Sequence, residues 1–372
     1  MHRRSFLEPT RLASVLAPLS ADEPAIDTGP IPLMRASRRA MATTFEILLP
    51  PALLRAYPAA SDALDLIDDL EDQLTVYRDH SEVSRLNATA SEADVEVESG
   101  LFDLLERCAV LTRETQGAFD IACGSLIKAW GFYSRSGRVP SVRERAAAMQ
   151  ATGMRHVVLK PGTRSVRYLR RGLEINFGGI GKGYALDRAA TILDGYGIGD
   201  YLIHGGSSSV LTKGDLAGHP WQVDLKHPWA ANVKLGCLRL EGNALGTSAA
   251  TYQHFEYDGR KLGHLLDPRK GWPAEGVAQV SVLAPTAALA DALSTAFYAM
   301  GVDSAREYCR THPGIGAVIL PMPTDGDISD FKGSPIVLGT AIKAYAAPDV
   351  SRNPGDSPDH PAEPLYYATD EL

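Results

Sequence analysis

No run of lysine and arginine marks this chain. Its 37 basic side chains are outnumbered by 45 acidic ones, for a formal net charge of -8. A nucleic-acid backbone demands a basic face, so no nucleic-acid partner is expected. Cysteine is scarce: Cys108, Cys123, Cys237 and Cys309 are the only ones, and no two are spaced as CxxC. Zinc knuckles and thioredoxin-type redox pairs need that spacing, and the four read as buried thiols. No apolar stretch approaches the ~20 residues that span a bilayer, so no transmembrane segment is expected. Nor does any segment repeat at a solenoid period.

The N-terminus carries Arg3-Arg4-Ser5-Phe6-Leu7, similar to a twin-arginine export start. The apolar stretch that such a signal needs is interrupted by Glu8, Arg11, Asp22 and Glu23, and Leu12–Leu19 is short. The cytoplasm is therefore the expected compartment, with export as the alternative.

What is present is ordinary soluble-protein composition, 45% hydrophobic and 22% charged over 372 residues. At roughly 150 residues per domain, that length holds one large or two ordinary domains. Residues 1–40 read as a polar, proline-bearing lead-in and 41–345 as one domain. Five prolines and many acids between residues 347 and 372 predict a disordered tail over 346–372.

Periodicity predicts a mixed α+β protein with a largely antiparallel sheet core and flanking helices. Thr44–Leu49 reads as a strand, Ala59–Leu74 as an amphipathic helix and Tyr77–Asn87 as a polar loop. Further helices are predicted over Gly100–Thr115, Arg143–Ala151 and Tyr184–Tyr196. Another opens at Pro285-Thr286, with Thr286 as its cap, and runs to Met300. Strands are predicted at Val157–Leu159, Leu173–Phe177, Tyr201–His204, Gly316–Leu320 and Ile336–Leu338. Short alternating segments between Trp221 and Val282 point to antiparallel pairing.

Five constellations carry candidate chemistry. The cluster Gly178-Gly179-Ile180-Gly181-Lys182-Gly183 stands between a predicted strand and a helix, where glycines let backbone approach a phosphate and Lys182 adds charge. A tight strand-to-helix turn needs the same residues, and the cluster matches neither GxGxxG nor the GK[ST] ending of a phosphate loop. Asp291 and Thr295 are four apart on an otherwise apolar helix, so they share a face. A carboxylate beside a hydroxyl suits a hard cation such as magnesium, and a buried Asp is costly unless paired or ligated. His264, ahead of Asp267-Pro268-Arg269-Lys270-Gly271, offers an imidazole fit for general-base work. Gly117-Ala118-Phe119-Asp120 and the loop at Tyr77 offer aromatic rings for stacking, or loop anchors.

The order of these motifs, from Met41-Ala42-Thr43-Thr44-Phe45 through Tyr77 to Ala290–Ala296, resembles that of the ApbE family of FAD:protein FMN transferases over Met41 to Gly301. The resemblance implies transfer of FMN from FAD to a threonine or serine hydroxyl of an acceptor flavoprotein, with release of AMP. It implies a magnesium ion held by Asp291, Thr295 and the Gly181 carbonyl, and His264 as the base. It matches Tyr77 to a ring-stacking position, and Met41, Ala118, Phe119, Asp120, Gly178 and Lys182 to positions near the dinucleotide. The chain departs from the family pattern at Ala122, Gly181, Ser207, Ala249 and Lys270; the turn Gly205-Gly206-Ser207-Ser208-Ser209 lacks the usual Asp. The departures keep two alternatives in view, an FAD hydrolase and an FAD-binding protein without turnover. A Rossmann oxidoreductase is a weaker reading, for want of a ribose-binding acid.

Overall fold

The computed structural model describes residues 7–11, 32–50, 55–134, 137–230, 233–249, 254–257, 260–323, 333–343 and 345–346. Of the expected tail over 346–372 only Ala346 is described, in a short strand, and residues 1–6 and 12–31 of the lead-in also lie outside the described residues.

Nine strands form one sheet: β1 (Leu7–Arg11), β2 (Pro32–Ala40), β3 (Thr43–Leu49), β4 (Tyr201–Gly205), β5 (Ser209–Lys213), β6 (Ala244–Ala249), β7 (Val277–Ala284), β8 (Gly316–Pro321) and β9 (Ile336–Leu338). Their order across the sheet is their order along the chain, and every neighbouring pair is antiparallel. The sheet is thus a meander, and the long excursions between β3 and β4 and between β5 and β8 carry the rest of the fold. The expected antiparallel core is borne out. A parallel Rossmann sheet is not present among the described residues. β2 belongs to the sheet, so its segment of the lead-in is structured.

Both faces of the sheet are covered. Phe45, Ile47, Leu49, Ile203, Val280, Val282 and Ile319 face a helical layer. Leu48, Leu202, Val210, Leu245, Leu283, Val318 and Leu320 alternate with them and pack with Trp221, Val223, Leu225 and Leu238. The latter come from a smaller sheet built on Trp221–Lys226 and Lys234–Leu240. β7 is buried along its whole length because it has apolar neighbours on both sides.

Seven α-helices are described: α1 (Ala56–Leu74), α2 (Glu82–Thr89), α3 (Ser99–Glu114), α4 (Gly124–Ala129), α5 (Val142–Gln150), α6 (Gly181–Gly195) and α7 (Ala287–Thr311). Thr286 caps α7, accepting from the Leu289 amide at 3.3 Å. The first helical stretch of α7 ends at Met300 as expected, where Gly301 (φ 81) breaks the helix, and a second stretch continues it to Thr311. The second half of the expected loop Tyr77–Asn87 belongs to α2, which is capped by Ser81, whose hydroxyl accepts from the Ser84 amide at 2.9 Å. Short polar helices hide in sequence because their cap residues are also turn formers.

The expected strand Leu173–Phe177 joins no ladder. Its backbone is satisfied otherwise: Gly124 N donates to Glu174 O at 2.9 Å and Asn176 N donates to Ile121 O at 2.8 Å. The Asn87 side chain accepts from Ile175 N at 2.8 Å and donates to Ile175 O at 2.9 Å. The alternating burial of Leu173, Ile175 and Phe177 imitates a strand. Cys108 and Cys309 are buried as expected, whereas Cys123 and Cys237 are half-buried, and all four thiols are free.

Candidate functional site

α7 is a rail against which the separated motifs are brought together. Its residues at four-residue spacing share one face, and that face runs over the glycine cluster. A Cβ on Gly183 would lie 2.1 Å from Ala287 O, so only glycine permits this approach of α6 to α7. One turn on, the Gly183 amide donates to Asp291 Oδ2 at 2.6 Å. A further turn on, Thr295 Oγ1 lies 3.2 Å from where a Cβ on Gly179 would stand. Gly181 is between these two contact points, as the first residue of α6. On the far side of α7, Gly246 of β6 allows close packing, since a Cβ there would meet Ala290 C at 2.4 Å.

Asp291 is buried, and burial pushes its carboxyl up to about 7, against the pull of Lys182, the Ser209 hydroxyl and the Gly183 amide. Ser209 Oγ donates to Asp291 Oδ1 at 2.8 Å and stands 3.0 Å from Oδ2. Thr295 is half-buried, and its hydroxyl is 3.3 Å from Ser248 Oγ, which in turn pairs with Ser294 Oγ at 2.8 Å. Asp291, Thr295 and the neighbouring backbone offer only oxygen donors, the preference of a hard cation. Among the described residues no group of three or more His, Cys, Asp or Glu stands together. One carboxylate with a hydroxyl and a carbonyl fits a magnesium ion that completes its shell with phosphate and water, and does not fit an all-protein cage.

The other expected residues surround this centre unequally. Lys182, half-buried in the first turn of α6, donates to Ser208 Oγ. Phe119 is buried beneath the glycine turn, with Cε2 3.6 Å from the Cβ position of Gly179. Ala118 is buried beside it. Asp120 serves the loop: its carboxylate accepts from the Ala122 amide at 2.9 Å and from the Met154 amide at 3.0 Å. Burial raises its pKa, and those two amides and Arg155 oppose the rise.

Tyr77 is 69% exposed and meets Tyr133 edge-on, with ring centroids 5.9 Å apart. Tyr133 OH accepts from Asn176 Nδ2 at 3.4 Å, and Asn176 Oδ1 accepts from the Gly178 amide at 2.8 Å. The exposed ring is thereby tied to the glycine turn by two intervening side chains.

Met41 (φ 49) and Ala42 (φ 61) form the two-residue turn between β2 and β3, both left-handed. Asparagine and glycine normally fill such a turn, and strain of about 1–2 kcal/mol per residue clusters at functional sites. The turn abuts the β4–β5 turn, where a Cβ on Gly206 would lie 2.3 Å from Thr43 Oγ1.

His264 is half-buried at the bend that follows Arg260–Gly263 and leads into the Asp267 turn. Asp267 is fully buried and accepts from Arg269 Nε at 2.8 Å, Arg269 Nη2 at 2.9 Å and the Arg269 amide at 3.0 Å. Burial works to raise its pKa, but the Arg269 hydrogen bonds and charge outweigh it and hold the carboxyl below its usual value. Arg269 Nη2 also donates to Ala299 O at 3.0 Å, which pins this turn to α7 one turn beyond Thr295.

Sequence reasoning missed Ser208, Ser209 and Asn176. Their signal was available: a serine run directly after Gly205-Gly206, and an Asn directly before the glycine cluster.

Known proteins resemble this chain throughout that region. The model of the ApbE family matches residues 41–319. A protein of Klebsiella pneumoniae (strain 342) named FAD:protein FMN transferase is 31% identical over 283 residues, covering 74% of this chain and 87% of its own length. Its namesake from Escherichia coli (strain K12) is 29% identical over 267 residues, 70% and 75% of the two chains. Among solved structures, the ApbE protein of Thermotoga maritima superposes with a TM-score of 0.74 at 28% identity, covering 83% of this chain and 97% of that one. Flavin transferase ApbE from Vibrio cholerae shares the fold, with a TM-score of 0.72 at 24% identity, covering 83% and 98%.

Proposed function

Since the chain belongs to the ApbE family, we propose that it transfers FMN from FAD to a serine or threonine hydroxyl of an acceptor flavoprotein, with magnesium bound and AMP released. The observation that carries this reading is the placement of Asp291 and Thr295, one helical turn apart, at the two ends of the Gly179–Gly183 hinge. A diphosphate laid at that hinge meets the accessible backbone of Gly178 and Gly179, the first turn of α6 and the Lys182 ammonium.

Asp291, Thr295 and the Gly181 carbonyl would hold the magnesium ion, which supplies charge neutralisation on the diphosphate oxygens. His264 takes the proton of the acceptor hydroxyl. The hydroxyl oxygen bonds to the phosphorus of the FMN half, the bridging P–O bond breaks, and AMP leaves with the bridging oxygen. Phe119 packs the hinge from beneath, and Tyr77 presents a ring at the rim on which a flavin or adenine stacks. The cytoplasm remains the compartment proposed for this reaction.

Incubation with FAD, magnesium and a candidate flavoprotein tests the reading. FMN-labelled acceptor and stoichiometric AMP, detected by mass spectrometry and chromatography, are expected. AMP without labelled protein would make water the acceptor and the chain a hydrolase. Bound FAD with neither product would make it a binding protein.

A further inference from the structure

The serine run after Gly205-Gly206 joins two charged groups that do not touch. Lys182 Nζ donates to Ser208 Oγ. Ser208 Oγ stands 3.2 Å from Ser209 Oγ. Ser209 Oγ donates to the Asp291 carboxylate, at 2.8 Å from Oδ1 and 3.0 Å from Oδ2. The hydrogen bonds therefore run from an ammonium through two hydroxyls to a carboxylate. Lys182 is close enough to bear electrostatically on Asp291, yet the two form no ion pair among the described residues.

In a site this enclosed, an ammonium and a carboxylate left to themselves attract strongly. A direct pair would consume both: the carboxylate would lose its claim on a cation, and the ammonium its charge toward a phosphate. An acid in this turn would neutralise Lys182 in the same way. Serine hydroxyls are neutral and act as donor and acceptor at once. They satisfy one of the three ammonium protons and leave two. On the carboxylate, Ser209 and the Gly183 amide fix the plane and still leave lone pairs on Oδ1.

We propose that Ser208 and Ser209 are positioning residues that hold Lys182 and Asp291 apart, so that the ammonium is kept for a phosphate oxygen and the carboxylate for a divalent cation. The proposal rests on the reading that a dinucleotide and magnesium meet at this hinge. Groups that orient a metal-binding carboxylate typically matter by about 10- to 100-fold in metal affinity.

The test reads both ends of the chain of hydrogen bonds. Mn2+ is titrated by electron paramagnetic resonance, without FAD or acceptor, into the wild type, Ser209→Ala, Ser209→Thr and Ser208→Ala. FAD binding is followed by quenching of flavin fluorescence in EDTA. Ser209→Ala is expected to weaken Mn2+ binding by about 10- to 100-fold, with Ser209→Thr recovering most of it. Ser208→Ala, which frees Lys182 to pair with Asp291, is expected to weaken metal-free FAD binding and Mn2+ binding alike. Wild-type Mn2+ affinity in folded Ser209→Ala overturns the proposal. If Ser209→Ala does not fold, unaltered metal-free FAD binding by Ser208→Ala overturns it instead. Acceptor labelling by the wild type is run in parallel: labelling with an unaffected Ser209→Ala sinks only this proposal, whereas the expected Mn2+ pattern without labelling sinks only the transferase reading.

Discussion

The Gly183 amide and the Asp291 carboxylate meet at 2.6 Å across 108 residues of chain. That hydrogen bond joins the start of α6 to the second turn of α7, and the glycine is there because the helices approach too closely for any other residue. The carboxylate it orients is the acidic side chain assigned to the proposed metal position.

Replacement of Asp291 by Asn keeps the shape and removes the charge. Metal-dependent AMP release should fall by about 10³-fold, on the scale of losing one electrostatic contributor to a transition state. Steady-state kinetics across a magnesium titration, with circular dichroism to check folding, measures it. Normal magnesium-dependent turnover by this variant would remove Asp291 from the metal site.

His264→Ala should leave FAD affinity within about threefold and slow labelling of the acceptor by about 10²- to 10⁴-fold, the usual share of a general base. The loss should shrink as pH rises and the acceptor hydroxyl needs less help. A matched loss of FAD binding would recast His264 as a binding residue.

Gly183→Ala tests the close approach of the two helices. A Cβ 2.1 Å from Ala287 O and 2.4 Å from Ala287 C forces α6 and α7 apart. Overpacking of this kind costs about 3 kcal/mol, which urea unfolding reads as a lower midpoint at an unchanged slope. Gly162→Ala is the control, since nothing lies within 4 Å of its Cβ position. Equal midpoints for the two variants would contradict the packing described.

Asp267 supplies a pH dependence of known sign. Its folded-state pKa lies below the unfolded value of about 3.9. Its stabilisation is therefore complete above that value and lost as pH falls through the lower folded value. Asp267→Asn should cost about 2 kcal/mol at neutral pH, as for hydrogen bonds to a charged group, and less below pH ~4. Unfolding midpoints at pH 7 and pH 3 check this; a constant difference would show that the Arg269 pair contributes through shape alone.

Element types were readable wherever periodicity was long. The α1 and α3 segments alternate apolar and polar residues over several turns, and β3, β4 and β8 are β-branched and aliphatic runs, so local pattern determined them. The segment Leu173–Phe177 misled because alternation records which side is buried, and a ladder needs a partner strand that local sequence does not name. Its partners are the Ile121 carbonyl, the Gly124 amide and the side chain of Asn87.

Among the candidate site residues, Asp291 and Thr295 were legible as a pair because four-residue spacing on a helix is itself a geometric statement. Asp120 read as a dinucleotide neighbour, and the structure adds that its carboxylate orders the loop by accepting from the Ala122 and Met154 amides. Sequence by itself determined the antiparallel character, the capped start of α7 and the glycine-rich opening of α6. Only the tertiary structure decided that α7 crosses that cluster, that Ser209 reaches Asp291 and that Ser208 reaches Lys182. These depend on two helices and a β-turn closing from distant parts of the chain, and such contacts follow from packing of the whole core, which no local spacing encodes.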